Sequence, residues 1–86
     1  MNVRVTLTGR RYDLAEHLPP TLELADDATL ASALARLTSA LPGDDQLPAT
    51  CMIAVGGTHL GTLAAHRDCP LQDGDEIVLV TPVAGG

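Results

Sequence analysis

Aromatic side chains are nearly missing from this chain: its 86 residues include no Phe, no Trp and a single Tyr. Apolar residues still make up 45% of the sequence, so a core must be packed almost entirely from aliphatic side chains. The same absence removes the flat side chains on which single-stranded nucleic acids stack. We therefore expect one small domain with an aliphatic core and no platform for bases.

Positive charge is scarce as well. Lysine is absent, and five arginines stand against eleven acidic residues, which gives a formal net charge of −6 at pH 7. Such a chain repels phosphate backbones and anionic headgroups, so we expect no nucleic-acid or membrane partner and favour a basic protein partner. No apolar run approaches the roughly 18 residues of a membrane helix, and no signal-peptide pattern is recognisable. The expected location is cytoplasmic.

Cysteine and histidine form no recognisable metal motif. The 17 residues between Cys51 and Cys69 match no zinc spacing, and a cytosolic chain keeps its thiols reduced. Two unrelated small apolar residues are therefore favoured over a disulfide or half of a metal site. The histidines, His17, His59 and His66, include no HxxxH pair. We expect no metal site, and independent catalysis is the least favoured function because no catalytic triad or dyad is recognisable.

The first part of the chain predicts two strands. Val3, Val5 and Leu7 alternate with polar residues, which is typical of a strand with one buried face. Residues 10–18 form a polar connector in which we expect one short helical turn. A pair of prolines ends this connector, and residues 21–25 are predicted as the second strand.

A helix is expected to begin near Leu30. Asp26, Asp27 and Thr29 precede it as candidate N-cap residues, and the aspartates complement the positive end of its dipole. Four leucines then recur at i, i+4, i+7 and i+11, namely Leu30, Leu34, Leu37 and Leu41. This stripe predicts a helix with one buried face, which Pro42-Gly43 should end.

The second half of the chain predicts three further strands. Residues 51–55 are continuously apolar, which favours a central strand. A turn at Gly56-Gly57 then leads into a short returning strand over residues 58–63. Residues 64–71 are expected to be irregular, before Asp73-Gly74-Asp75 supplies a tight turn into the last strand.

The last strand, residues 76–81, is apolar on both of its faces. Alternation places Ile77 and Leu79 on one face and Val78 with Val80 on the other. One pair can be buried while the second stays at the surface, where a partner covers it. Burial beneath a neighbouring loop is the alternative for the second pair, since single exposed apolar residues are ordinary.

The order strand, strand, helix, strand, short strand, strand predicts an α+β fold, with a mixed sheet packed on one main helix in a β-grasp (ubiquitin-like) arrangement. We assign residues 1–81 to this domain and residues 82–86 to a flexible C-terminal Gly-Gly tail. Pro82 has no N–H, so it should end strand pairing. Gly85 and Gly86 lack a Cβ and fit a narrow channel. A frayed terminus without function is the alternative.

The chain ends with Leu71-Gln72-Asp73-Gly74-Asp75-Glu76-Ile77 followed by Pro82-Val83-Ala84-Gly85-Gly86. These residues resemble the end of molybdopterin synthase small subunits. The strands, the helix and the terminal Gly-Gly also occur in the order of the ubiquitin-like sulfur carriers over nearly the whole chain. The Pro-Val spacing favours the molybdopterin branch over the thiamin branch. Where the family often has aromatic residues at partner contacts, this chain has Thr8 and Val80.

The resemblance implies a sulfur carrier that is itself a non-catalytic subunit. An E1-like adenylating enzyme would use ATP and Mg²⁺ to adenylate the Gly86 carboxylate, and this chain would bind no cofactor of its own. A sulfur donor protein would then replace AMP and leave a thiocarboxylate. The molybdopterin synthase large subunit would accept the tail, so that sulfur reaches a pterin precursor in molybdenum cofactor biosynthesis.

The resemblance also implies roles for individual residues. Gly86 would be the reacting residue. The residues expected to line the partner's channel are Pro82, Val83, Ala84 and Gly85. The residues expected to bind a partner are Thr8, Leu60, Val78 and Val80.

Three alternatives use the same fold. The chain could carry sulfur for thiamin, cysteine or another thio-metabolite through the same terminus. It could be a ubiquitin-like modifier that is joined through Gly86 to target lysines. It could also be a β-grasp adaptor that binds through Val78 and Val80 and has an inert tail.

Overall fold

A computed structural model describes residues 1–9, 17–41 and 47–81. Three sequence predictions lie outside these ranges, wholly or in part: the connector turn, the helix stop at Pro42-Gly43 and the tail. The boundary between domain and tail therefore stays a prediction. Within the described ranges, no helix has the length and apolar character needed to cross a membrane.

The described residues form a mixed five-stranded sheet and one helix. The elements are β1 (Asn2–Thr8), β2 (Thr21–Glu23), α1 (Leu30–Ala40), β3 (Met52–Val55), β4 (Thr58–Thr62) and β5 (Glu76–Val80). The strands lie in the order β2-β1-β5-β3-β4, with β1 parallel to β5 and the other neighbours antiparallel. This arrangement confirms the predicted α+β fold of the β-grasp type, and β3 is an interior strand as expected.

The second strand is shorter than predicted. It ends at Glu23. A turn follows, in which the Ala28 N–H donates to the Ala25 carbonyl at 3.0 Å. Leu24 still pairs with the first residue of the chain: its N–H donates to the Met1 carbonyl at 2.8 Å. The residues after β2 therefore lead directly into the start of the helix.

Thr29, one of the three candidate N-cap residues, caps the helix. The Ser32 N–H donates to the Thr29 side chain, and the Thr29 N–H donates to the Ser32 hydroxyl at 3.4 Å, which completes a capping box. The predicted stripe is also confirmed, because its four leucines are buried: Leu30, Leu34, Leu37 and Leu41. Both the start of the helix and its buried face thus follow from local sequence.

The irregular segment 64–71 is bonded to the start of the helix. The Leu30 N–H donates to the Cys69 carbonyl at 2.9 Å, and the Ala31 N–H donates to the Asp68 carboxylate at 2.9 Å. The first N–H groups of a helix have no partner within the helix, so these bonds satisfy two of them. The segment therefore closes one end of the domain.

The core lies between α1 and one face of the sheet. Ile77 and Leu79 are fully buried, whereas Val78 and Val80 on the opposite face are only half-buried, which confirms the predicted alternation of the last strand. The largest fully buried side chains are all aliphatic or cysteine, as the lack of aromatics requires: Val3, Leu30, Leu37, Cys51, Ile53, Ile77 and Leu79.

Candidate functional site

Thr81, the last described residue, is fixed to the end of β1. Its backbone N–H and its hydroxyl both donate to the Thr8 carbonyl, each at 3.0 Å. The side chain is 2% exposed, and burial without a partner would be costly, so the hydroxyl bond stabilises this position. The tail, residues 82–86, therefore begins from a defined point at the edge of the domain.

Gly9 makes this close approach possible. Its φ of 106° lies in the region that favours glycine. A Cβ at this position would overlap both the hydroxyl and the carbonyl oxygen of Thr81. We refer to Thr8, Gly9 and Thr81 together as the tail anchor.

The face of the sheet that points away from α1 carries two rows of side chains across four strands. Residues directly opposite each other on neighbouring strands share a face and lie within contact distance. The row beside the tail anchor is Thr8, Val80, Met52 and Thr62. The next row is Thr6, Val78, Ala54 and His59. These eight residues form what we call the outer strip.

The outer strip is apolar in the middle and polar at its borders. Met52 is 38% exposed, and among residues 1–9, 17–41 and 47–81 no other large apolar residue is as exposed. Val78 and Val80 lie beside it on β5 and are half-buried. Threonines and one histidine surround these side chains, and none of the eight residues is an acid, an arginine or a lysine. An apolar centre with a polar rim is typical of protein interfaces.

Negative charge gathers at the opposite end of the sheet. Asp73 accepts the Asn2 N–H at 2.7 Å, and Glu76 accepts the Thr6 hydroxyl at 3.1 Å. A rise of about 3.3 Å per strand residue places Glu76 about 13 Å from Val80 along β5. The described acids around the starts of β1, β5 and α1 are Glu23, Asp26, Asp27, Asp68, Asp73, Asp75 and Glu76. The row beside the tail anchor is thus separated from this negative charge, whereas Thr6 in the next row contacts the Glu76 carboxylate.

The structure unites three of the four residues that are expected to bind a partner. Thr8, Val78 and Val80 lie together on the outer strip. Leu60 does not join them: it lies where the register of β3 with β4 shifts, and it packs against the core cluster. The reacting Gly86 and the four channel residues before it lie outside the described residues. Their roles, and that of Leu60 in binding, stay predictions.

Met52 is a candidate that the sequence analysis does not single out. The continuous apolar run over residues 51–55 predicts a central strand but does not by itself mark one face as exposed. In the structure, Met52 lies opposite Val80, whereas Ile53 lies opposite the buried Leu79. The signal that would have found Met52 is the same alternation that divides the last strand.

The thiols take no part in this site. Cys51 and Cys69 are both free. Burial raises the pKa of the Cys51 thiol. Burial, with a smaller contribution from Asp68 and Asp75, also raises the pKa of the Cys69 thiol. Both thiols are therefore protonated and weakly nucleophilic near neutral pH. In the part of the chain that the structure describes, no group of His, Cys, Asp and Glu is arranged to hold a metal ion.

Comparisons with known proteins bear on the whole chain. A family model described as the ThiS family matches residues 5–86. The chain is also similar to a molybdopterin synthase sulfur carrier subunit from Chlamydomonas reinhardtii, with 28% identity over 86 residues that cover 100% of both chains. No solved structure gives a significant match. The family match includes the outer strip, the tail anchor and the terminal Gly-Gly.

Proposed function

This chain belongs to the ThiS family, and from that premise we propose that it is a sulfur carrier whose Gly86 is adenylated and then converted to a thiocarboxylate. We assign its sulfur to molybdopterin synthesis, with the chain as the small subunit of molybdopterin synthase. The observation that carries the proposal is the family match, which continues through Gly85-Gly86 at the end of a domain that fixes the start of its tail. The name of the similar algal protein supports the choice of pathway.

The proposed chemistry uses the terminal carboxylate as a nucleophile and then as an acyl group. A Gly86 carboxylate oxygen attacks the α-phosphorus of ATP, and pyrophosphate leaves. Hydrosulfide supplied by a sulfur donor protein then attacks the acyl carbon, the bond from this carbon to the AMP oxygen breaks, and loss of the S–H proton leaves the thiocarboxylate. Positioning and charge neutralisation at the phosphates come from Mg²⁺ and the E1-like adenylating partner, because an acidic chain without a phosphate-binding loop supplies neither.

The residues of this chain act by presenting the tail. The tail anchor holds Thr81 against the end of β1. Five residues beyond Thr81 span at most about 16 to 18 Å when fully extended. A protein that receives Gly86 in its active site must therefore lie close to this end of the sheet, where the outer strip offers an apolar contact surface. We assign Thr8, Val78 and Val80 to that contact.

Intact-mass analysis tests the proposal directly. The chain is purified from its native host, and a second sample is incubated with ATP, Mg²⁺, the cognate adenylating enzyme and a sulfur source. We expect a mass change equal to the exchange of one oxygen for one sulfur, located at Gly86 by fragmentation. Conjugates of higher mass through Gly86 would instead indicate a protein modifier, and an unchanged terminus in both samples would indicate an adaptor.

A second candidate is a sulfur carrier for thiamin, cysteine or another thio-metabolite. The observation that favours it is the identity of the residues at two positions that contact partners. Thr8 and Val80 stand where the resembled small subunits often have aromatic residues. A different partner surface would be consistent with a different acceptor. Offering the thiocarboxylated chain to the pterin precursor with the synthase large subunit, and separately to a thiamin-precursor reaction, distinguishes the two candidates.

A further inference from the structure

We propose that Met52 is the residue through which the outer strip holds the synthase large subunit, and that this contact is apolar rather than electrostatic. The inference rests on the proposed function. It goes beyond that function by naming an anchor residue on β3 and by stating the chemistry of the surface that receives it.

The position of Met52 supports its role as an anchor. It lies opposite Val80 on one side and Thr62 on the other, so it occupies the middle of its row. Interface residues that dominate binding cluster near the centre of the contact and insert into pockets of the partner. A methionine side chain is unbranched and polarisable, which suits it to filling an apolar pocket.

The length and origin of the tail require that a protein enclosing Gly86 lie against the outer strip. Met52 is paired with Val80, and the next residue after Val80 is the anchored Thr81. Paired Cα atoms on antiparallel strands lie about 4.5 to 5.5 Å apart. The five residues after Thr81 reach at most about 16 to 18 Å, so a protein that encloses Gly86 must come near Met52. Both proposed recipients of the tail meet this condition, and the large subunit is the one that the name of the similar algal protein, a molybdopterin synthase sulfur carrier subunit, implies.

Charge indicates the chemistry of the contact. The net charge of −6 favours a basic partner surface, but the eight residues of the outer strip carry no carboxylate and no guanidinium. The described acidic residues lie around the starts of β1, β5 and α1 instead, and one of them, Glu76, accepts the Thr6 hydroxyl at the border of the strip farther from the tail anchor. The matching patch on the large subunit should therefore be uncharged and apolar, and its affinity should depend little on salt.

The decisive experiment compares substitutions at Met52 in the full-length chain. The dissociation constant for the large subunit is measured by calorimetry for the wild type, Met52→Glu, Met52→Gln and Met52→Leu. Ala35→Glu is the matched control, because it adds the same charge to an exposed position on α1, in the other layer of the domain. Thermal unfolding of every variant checks the fold, and Met52→Gln tests the inference without a charge if Met52→Glu is unstable.

We expect Met52→Glu to raise the dissociation constant by on the order of tenfold or more, with Met52→Gln intermediate. Met52→Leu should stay within about threefold of the wild type, since it conserves volume. Ala35→Glu should bind like the wild type. Raising salt from about 0.1 to about 1 M shortens the Debye length from about 10 to about 3 Å, and should change the wild-type constant less than about threefold.

Three results would overturn the inference. The first is that folded Met52→Glu and Met52→Gln bind the large subunit as tightly as the wild type. The second is that the affinity of the wild type falls steeply as salt is raised. The third is that sedimentation shows a dimer of the free chain that Met52→Glu dissociates, which would assign the strip to a second copy of the chain. Sulfur delivery by the wild type, measured in the same samples, tests the proposed function separately.

Discussion

Thr81 donates two hydrogen bonds to the carbonyl oxygen of Thr8, one from its backbone N–H and one from its hydroxyl. This contact extends the pairing of β1 and β5 by one residue past Val80 and leaves the Thr81 side chain buried. Gly9 is the neighbour that permits it, because any Cβ there would overlap Thr81. The place where the tail begins is therefore set by β1, at the other end of the sequence.

Gly9→Ala should destabilise the domain by about 1 to 3 kcal/mol, because alanine is strained at this φ and its methyl group displaces Thr81. The matched control is Gly57→Ala, where φ is 84° but nothing lies within 4 Å of a new Cβ. It carries the conformational strain without the overlap, so it should cost less. Urea unfolding gives both free energies. Equal losses, or a smaller loss for Gly9→Ala, would contradict the tail anchor.

Asp68→Ala should destabilise the domain by about 0.5 to 2 kcal/mol, the usual cost of removing a side-chain cap. The carboxylate accepts the Ala31 N–H at the start of α1 and the neighbouring Cys69 N–H. Asp68→Asn retains an acceptor oxygen and should recover much of the loss. Denaturant midpoints measure the difference. If the alanine variant unfolds at the wild-type midpoint, the bond to the helix has no energetic role.

Leu34→Ala should cost roughly 2 to 5 kcal/mol of unfolding free energy through lost contacts and the cavity that remains. Leu34 is 5% exposed and belongs to the buried stripe of α1. Leu34→Met conserves the volume and should cost less than about 1.5 kcal/mol. Chemical unfolding followed by circular dichroism provides both values. A loss below about 1 kcal/mol for the alanine variant would mean that this face of the helix is not packed as described.

Alkaline pH should destabilise the protein through Cys51. Burial raises the pKa of its thiol in the folded state. Below the ordinary thiol pKa of about 8.5, the thiol is protonated in both the folded and the unfolded state, so its contribution to the free energy of unfolding is fully present. As pH rises through the raised folded pKa, the unfolded state loses its proton more readily and that contribution is lost.

The measurement for Cys51 is the free energy of unfolding between about pH 7 and about pH 10, a range that brackets an ordinary thiol pKa. Cys51→Ala is the comparison, since it removes the titrating group. It should be less stable than the wild type at neutral pH but should lose less stability on going to alkaline pH. The same alkaline loss in both proteins would assign it to other groups.

Local pattern was sufficient for much of the fold. The leucine stripe predicted α1 because its four members are close in sequence. Alternation predicted the two faces of the last strand, because successive residues of a strand point to opposite faces whichever strands lie beside it. The family resemblance, which rested on the Asp-Gly-Asp turn and the terminal Gly-Gly, is confirmed by the match over residues 5–86.

The remaining features depend on register and on distant contacts. The bond from Ala31 to Asp68 joins residues 37 positions apart, and the bond from Thr81 to Thr8 joins residues 73 apart. No local pattern encodes either contact. The position of Met52 beside Val80 follows from the pairing of β3 with β5, and the position of Leu60 follows from a register shift between β3 and β4. Strand registers of this kind are not available from a single sequence.

The most direct test of the account is mass spectrometry of the terminus in wild type and in a chain that lacks Gly86. Both are incubated with ATP, Mg²⁺, the cognate adenylating enzyme and a sulfur source, and a chain with one added Gly is the control for length. Removing one residue retracts the carboxylate by about 3.3 to 3.6 Å, and a misplacement near 1 Å already costs about a hundredfold in rate.

Both length variants should keep the wild-type unfolding free energy, because residues 1–81 hold the core and the tail anchor. We predict that the wild type alone acquires the adenylate and then the thiocarboxylate. Conversion of the shortened chain as readily as the wild type, or a wild type that never acquires either group, would contradict it.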